Sequence, residues 1–487
     1  MKVRNCSNHA PMGGALATGL PRPVIRPARP SPPDRYSRIF AEAAGGRPSK
    51  SYIEKLGHLA WSMQGDESLI PTDLQPKNPP AAGYTYFGQF IDHDLTEDRT
   101  PMRSAGKFAP SETINYRGPW LNLSGIYDRI HDRGKWKYLY KSDGVSFQLG
   151  DPTVNGEQFD VALDKNHHPL LPDRRNNENV IIRQIHAMFL KLHNLAIEEF
   201  RVDNPSYGDT ELFAAARQRV CWQYQYLVRE DFLKKVCCEK VFDELVNKNA
   251  PPIIDWKTDG FSMPVEISQA VLRFGHSMVR PKYTLSVTSG RVDLQSILCG
   301  GEARALREAE AIHWPTFLIK GGELAMRIDT SISSALFELH NKDIHPFVSS
   351  PKPHPPHPLP VRTLVRGAKS RLPTGQRIAT RMGIPTFKIP AADGPYDPGA
   401  ALRRYDLAAE TPLWYYVLLE AGIQELGACL GTLGSQLLIE TVNAALTEDP
   451  DSYLNQPGSD SGPPIWKKTN KTANNLYEVA QLVNLTP

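Results

Sequence analysis

Three features of the 487-residue chain predict a mostly α-helical fold. Apolar residues recur mainly at three- and four-residue intervals, convincing alternating stretches are few, and the internal proline run at 345–362 is flanked by helical patterns on both sides. Hydrophobic residues make up 40% and charged residues 22%, a balance that supports a globular body. Against 56 basic side chains stand 53 acidic ones, a net charge of only +3 that provides no electrostatic footprint for nucleic acid or an anionic membrane. No apolar run approaches the roughly 20 residues that span a bilayer. The N-terminus lacks the apolar core of a secretory signal. The default expectation is a soluble, cytoplasmic chain, and export without a cleaved signal would leave no trace.

Residues 1–49 read as an extended N-terminal arm, because "PRPVIRPARPSPPDR" is too rich in proline to be regular. A body over 50–447 and a polar C-terminal tail over 448–487, with a short helix near 473–484, complete the expected organisation. In the body, "YTYFGQFIDHDLTED" (84–98) follows aromatic and apolar residues with three titratable ones, Asp92, His93 and Asp94. Buried charge is costly unless paired, hydrogen-bonded or metal-bound, so this segment reads as a site. If it is helical, Gln89 and His93 share one face while the aspartates point elsewhere. A satisfied core histidine is the ordinary alternative for any single histidine.

From 178 to 200, Ile181, Ile185, Met188, Leu192 and Leu195 form an amphipathic stripe, with Asn176 or Asn177 as cap and Glu178 in the first turn. Arg175 and Glu178, at the helix entrance, can point into a cavity or form a surface ion pair worth little. His186 and His193 lie two turns apart, too far to share one small ion without other ligands, and read as structural. Helices are further expected over 211–236, 265–280, 299–312, 411–427 and 431–447. Within 265–280, Arg273 and His276 face one side with Gly275 between them. A helical glycine costs about 1 kcal/mol relative to alanine, so a flat group lying against the bare backbone, or a tight helix crossing, would account for it. The segment "RGAKSRLPTGQ" (366–376) is basic and loop-like. The six cysteines show no CxxC or finger spacing and read as reduced and structural.

Taken in order, "FGQFIDHDLT", "DRRNNENVIIRQIHAMFLKLHN", "RFGHSMVRP" and "LWYYVLLEAGIQELGACLGTLGSQLLIE" resemble the animal-type haem peroxidase (peroxidase-cyclooxygenase) superfamily, in particular its bacterial-type members. The likeness spans about residues 50–447. It implies haem b held between a distal and a proximal helix, and oxidation of small donors (halide, thiocyanate or phenols) by hydrogen peroxide through a ferryl haem. By resemblance, His93 is the distal histidine, Gln89 the amide beside it, Arg175 the distal arginine and His276 the proximal iron ligand. Asp92 and Glu178 match the carboxylates that form ester links to haem in mammalian relatives, and Arg273 the arginine that meets a haem propionate. Gln376 stands where relatives orient the proximal histidine with asparagine. Asn179 replaces the methionine that myeloperoxidase joins to a haem vinyl, so that link cannot form.

The family's calcium loop aligns with Asp94, Gly118, Trp120, Asn122 and Ser124; glycine and asparagine thin its oxygen set, which leaves calcium binding open. Two other functions compete. Fatty-acid dioxygenases of the superfamily use a tyrosine three residues before the proximal histidine, where this chain has Arg273. A haem-free helical binding module would explain the stripes but not the three matching site motifs. Oligomeric state and physiological donor are not legible.

Overall fold

The computed structural model describes residues 34–39, 47–65, 76, 78–101, 112–127, 137–152, 158–254, 256, 261–286, 290–299, 303–319, 321–339, 358–389, 397–456, 462–467 and 470–483. Most of the N-terminal arm and of the proline run at 345–362 lies outside them.

Helices dominate. The ones used below are α1 (Lys50–Ser62), α2 (Gly83–Leu95), α3 (Val180–Asp203), α4 (Asp209–Tyr226), α5 (Leu359–Lys369), α6 (Leu413–Gln424), α7 (Thr432–Thr447) and α8 (Leu476–Leu482). Among the described residues, strands are pairs two or three residues long, such as Gln64–Gly65 running parallel to Ile332–Ser333.

At the centre α2 and α3 pack together, joined by stacked Phe90 and Phe189 (5.4 Å, 4° between planes) and by Tyr224 of α4 edge-on to both rings. Such aromatic clusters bury large areas with defined geometry. Helix α2 has almost no solvent face. Arg183 of α3 is fully buried and bidentate to Asp160 (2.6 and 2.7 Å), with further bonds to the Arg304 carbonyl and Asn177 Oδ1.

Four local expectations change. The cap of α3 is Asn179, whose Oδ1 accepts from the amides of Ile181 and Ile182 at 3.1 and 2.9 Å. Residues Arg174–Asn177 wind as a 3-10 turn capped by Asp173, which delays the α-helix beyond Asn176 and Asn177. The described part of 299–312 is not an α-helix and holds only the 3-10 turn Glu308–Glu310. Ion pairs from Arg304 and Arg307 to Glu310 (2.7 and 2.8 Å) override the helix propensity of its Ala, Arg and Glu residues. The stretch 265–280 breaks at Ala270 (φ −136°) into a short α-helix, Val265–Gln269, and a 3-10 helix, Val271–His276. Finally, "LPVRTLVRGAK" is helix α5, with proline in the first turn, where its missing N–H costs nothing.

The tail is less polar in place than in composition. Trp466, Leu476 and Val479 are fully buried in the same core, and Tyr36 of the arm joins them. Cys221, Cys237, Cys238, Cys299 and Cys429 are free thiols. Among the described residues no helix is long and apolar enough to cross a membrane.

Candidate active site

Helix α2 and the 3-10 segment Val271–His276 wall a cavity of about 790 Å³. Gln89, Asp92 and His93 line it from α2, Arg175, Glu178 and Asn179 from the turn before α3, and Arg273, Gly275 and His276 from the 3-10 segment. Seven of the sequence-predicted site residues, Gln89, Asp92, His93, Arg175, Glu178, Arg273 and His276, therefore converge on one space.

His93 is held from behind. Its Nδ1 lies 2.9 Å from Asn176 Oδ1, and the Asn176 amide nitrogen lies 3.1 Å from His186 Nδ1. With the amide so placed, the Asn176 oxygen accepts the Nδ1 proton, and a neutral His93 carries its lone pair on Nε2. His186 is buried, and desolvation pulls its pKa down to about 3, so it stays neutral and accepts from the amide. His193 is a satisfied core histidine, between Tyr127 Oη (3.0 Å) and the Val145 carbonyl (3.0 Å).

Around His93 the polar groups are ordered in pairs. Gln89 donates to Glu178 Oε2 at 2.7 Å and accepts from Asn179 at 3.1 Å, while His93 Nε2 stands 3.9 Å from the same Glu178 oxygen. Arg175 is clamped rather than extended. It donates to both oxygens of Asp173 and to the carbonyls of His93 and Thr96, all within 3.1 Å. Burial would raise the Asp173 carboxyl, but Arg175 and then Arg117 outweigh it and hold the group well below the usual range. Asp92 accepts from Thr96 Oγ1 (2.9 Å) and faces Arg273 Nη1 at 3.6 Å. Desolvation works against its charge, yet Arg273, His93 and Arg175 keep its pKa below the usual value.

On the other wall, Arg273 and His276 are three apart in a 3-10 helix and so eclipse one another. Trp414 of α6 fixes this turn, donating from Nε1 to the Arg273 carbonyl (3.0 Å) and presenting its ring to that of His276. Burial, then the charge of Arg273, pulls His276 down to about 3, so the imidazole is neutral. Its Nδ1 is buried without a hydrogen-bond partner. A Cβ added at Gly275 would meet nothing within 4 Å, so the backbone there lies bare to the cavity. A neutral imidazole with a free Nδ1 beside a bare glycine, in a cavity of this size, fits a flat metal-bearing group such as haem, which His276 would ligate.

Two expected contacts do not form. Gln376 sits on the helix Gly375–Arg381, bonded to the Ala408 carbonyl and twice to Thr411 (2.9 to 3.0 Å), and it does not orient His276. The extra methylene and the Thr411 amide capture it. In the expected calcium loop, Asp94 spends its oxygens on the amides of Leu123 (3.1 Å) and Ser124 (2.5 Å) and on Ser124 Oγ (3.0 Å). It is a capping carboxylate. Gly118 and Trp120 bring no side-chain oxygen, and Asn122 Oδ1 is one buried orphan, far short of the six to eight oxygens calcium takes. Among the described residues no group of three or more His, Cys, Asp or Glu side chains could hold a metal ion.

The structure also adds residues. Asn176 gave no sign in the sequence beyond a cap preference. Arg362 and Arg366, one turn apart on α5, both line the cavity; Arg366 pairs with Asp98 (3.0 Å), and Arg362 Nε is buried without a partner. The i, i+4 spacing in "VRTLVRG" was the available signal.

Residues 98–299 match the family model described as animal haem peroxidase. Over this stretch the chain is similar to the animal haem peroxidase superfamily. The matched stretch holds Arg175, Glu178 and His276 and begins just after His93. The human "Probable oxidoreductase PXDNL" is 22% identical over 329 residues, covering 58% of this chain and 21% of that protein, so the chain spans about a fifth of that relative's length. Among solved structures, peroxidase A of Dictyostelium discoideum superposes with a TM-score of 0.60 at 16% identity, covering 93% of this chain and 94% of that one. The fatty acid alpha-dioxygenase of Oryza sativa gives 0.64 at 14%, covering 90% and 81%. At these identities the neighbours show that the fold is the peroxidase fold, and the likeness to the family implies a haem cofactor.

Proposed function

We propose that the chain is a peroxidase that uses hydrogen peroxide to oxidise small donors, with halides, thiocyanate and phenols as the candidate classes. One observation carries the reading: a tautomer-fixed His93 and a neutral, unpartnered His276 line the same cavity from separate elements. Haem, when bound there, supplies an iron that holds peroxide and takes up its two oxidising equivalents. His276 offers the nitrogen that would ligate it. His93 Nε2 receives the peroxide proton and returns it to the departing oxygen, a base turned acid. Arg175, bonded to the His93 carbonyl, keeps a fixed positive charge near that proton transfer. Gln89 holds Glu178 by its carboxylate. Arg273, with Arg362 and Arg366, makes a basic wall suited to acidic groups at the haem edge.

Asp92 and Glu178 are the carboxylates that would carry ester links. Intact mass of denatured protein before and after peroxide treatment tests them, and haem lost in full from both samples counts against the links.

The deciding experiment loads the purified chain with haem and records its absorption, its response to peroxide, and rates with a donor panel. A Soret band that responds to peroxide, and donor turnover that requires peroxide, is the expected result. Abundant hydroperoxide from linoleate and oxygen without added peroxide would instead favour a dioxygenase, although Arg273 fills the position that would need a tyrosine. Failure to take up haem would remove both readings.

A further inference from the structure

Resting on the peroxidase reading above, we propose that Tyr84 is a redox-active tyrosine, giving an electron to the oxidised site in the cavity while its hydroxyl proton passes to Asp231. Tyr84 lines the cavity near the start of α2, nine residues before His93, about 13 Å along the axis at 1.5 Å per residue. Its hydroxyl donates to the Asp231 carboxylate at 2.8 and 2.9 Å, inside a wholly buried setting. Oxidising a phenol requires its proton to leave with the electron, and a carboxylate already hydrogen-bonded to that proton is the acceptor this needs.

The contrast with Tyr86 sharpens the assignment. Tyr86 also lines the cavity, but its ring meets another phenol, Tyr283, whose oxygen already takes the Arg280 amide proton (2.8 Å). Phenols are poor bases near neutrality. Asp231 is poised differently. It lies in a π-helical turn, Leu227–Phe232, which interrupts the rod begun by α4, and such turns are frequent at functional sites. The Leu476 amide of α8 also donates to its Oδ2, at 2.9 Å. Burial raises its pKa to about 6, against the pull of the Leu476 and Tyr84 bonds, which makes it a stronger base than an exposed carboxylate yet ionised at pH 7.

The step balances. With haem bound, hydrogen peroxide would be the two-electron oxidant, and Tyr84 would supply one of the two electrons: its O–H bond breaks and the proton joins Asp231, leaving a neutral phenoxyl and a neutral acid, while a small donor supplies the other electron. A donor then re-reduces the phenoxyl, and Asp231 gives the proton back.

The test mixes the haem-loaded full chain with hydrogen peroxide, freezes it within the reaction, and reads the organic radical by electron paramagnetic resonance. A parallel sample with a nitroso spin trap is digested and mapped by tandem mass spectrometry. The expected result is a tyrosyl signal with the adduct on Tyr84, absent in Tyr84→Phe and kept in Tyr86→Phe. Asp231→Asn keeps an acceptor oxygen but loses the base, and should slow radical formation by about a hundredfold, the lower range for a positioned proton acceptor. A wild-type adduct at another residue, or an unchanged signal in Tyr84→Phe, overturns the assignment while leaving the peroxidase reading intact. If the wild-type absorption does not respond to peroxide at all, that reading falls and takes this one with it.

Discussion

The imidazole Nδ1 of His93 lies 2.9 Å from Oδ1 of Asn176, and the base role proposed for His93 rests on which atom of that pair carries the proton. Asn176 is in turn oriented by a buried neutral histidine, His186. Replacing Asn176 with alanine should leave haem uptake unchanged and slow the reaction with peroxide by about 10- to 100-fold, the usual cost of losing a group that orients a site residue. Stopped-flow absorption of the loaded protein checks this, and an unaltered rate would show that His93 needs no such support.

The roles proposed for His93 and His276, on opposite walls, should separate by phenotype. His93→Ala should retain haem and lose about 10² to 10⁴ in peroxide cleavage, the range for a positioned acid-base group. His276→Ala should lose haem on gel filtration before any kinetics are measured.

Arg183 pins α3 from inside. Both it and Asp160 are buried, and removing one partner leaves the other charged and unpaired. Arg183→Leu should destabilise the fold by about 3–5 kcal/mol, read from urea unfolding. The double change with Asp160→Leu should recover part of the loss.

Glu420 of α6 is fully buried and caps α7, accepting from the amides of Leu433 (2.9 Å) and Gly434 (3.1 Å). Burial raises its pKa to about 7, from 4.5, outweighing those two amides. The folded state therefore binds the proton more tightly than the unfolded chain, and its contribution to stability falls as pH rises from about 4.5 to 7. Glu420→Gln should flatten that part of the profile. Urea midpoints of both proteins at pH 5 and pH 8 give the comparison.

Asp94 acts as a cap, so chelators should not shift the unfolding midpoint, whereas Asp94→Ala should cost about 1–3 kcal/mol by orphaning the buried amides of Leu123 and Ser124. A stabilisation by added calcium, abolished in the variant, would contradict this.

Much of the fold and the site was legible because periodicity and local spacing report it. The stripe of α3, the i, i+4 pair Gln89 and His93, and the eclipsed pair Arg273 and His276 depend on near neighbours in the chain. What was not legible depends on distant ones. Asn176 points at two histidines, 83 and 10 residues away, and nothing in "RRNNEN" says which asparagine will cap and which will bridge. Gln376 was captured by Thr411, 35 residues on, and Arg304 and Glu310 unmade a helix that propensity favoured. Nothing in "VREDFLKK" announces the π-helical turn that brings Asp231 to Tyr84.

Helix α2 holds Tyr84, Gln89, Asp92, His93 and Asp94 in a rod with almost no exposed face, each aimed at a different neighbour. Successive residues are about 100° apart around such a rod, so one residue inserted between Tyr84 and Gln89 would turn every later side chain by that angle. No identity would change, yet His93 would leave the cavity and Asp94 its turn. In this segment it is the spacing, more than any single side chain, that an insertion or deletion would destroy, and a scan of one-residue insertions across 83–95 should be far more damaging than a scan of substitutions at the same positions.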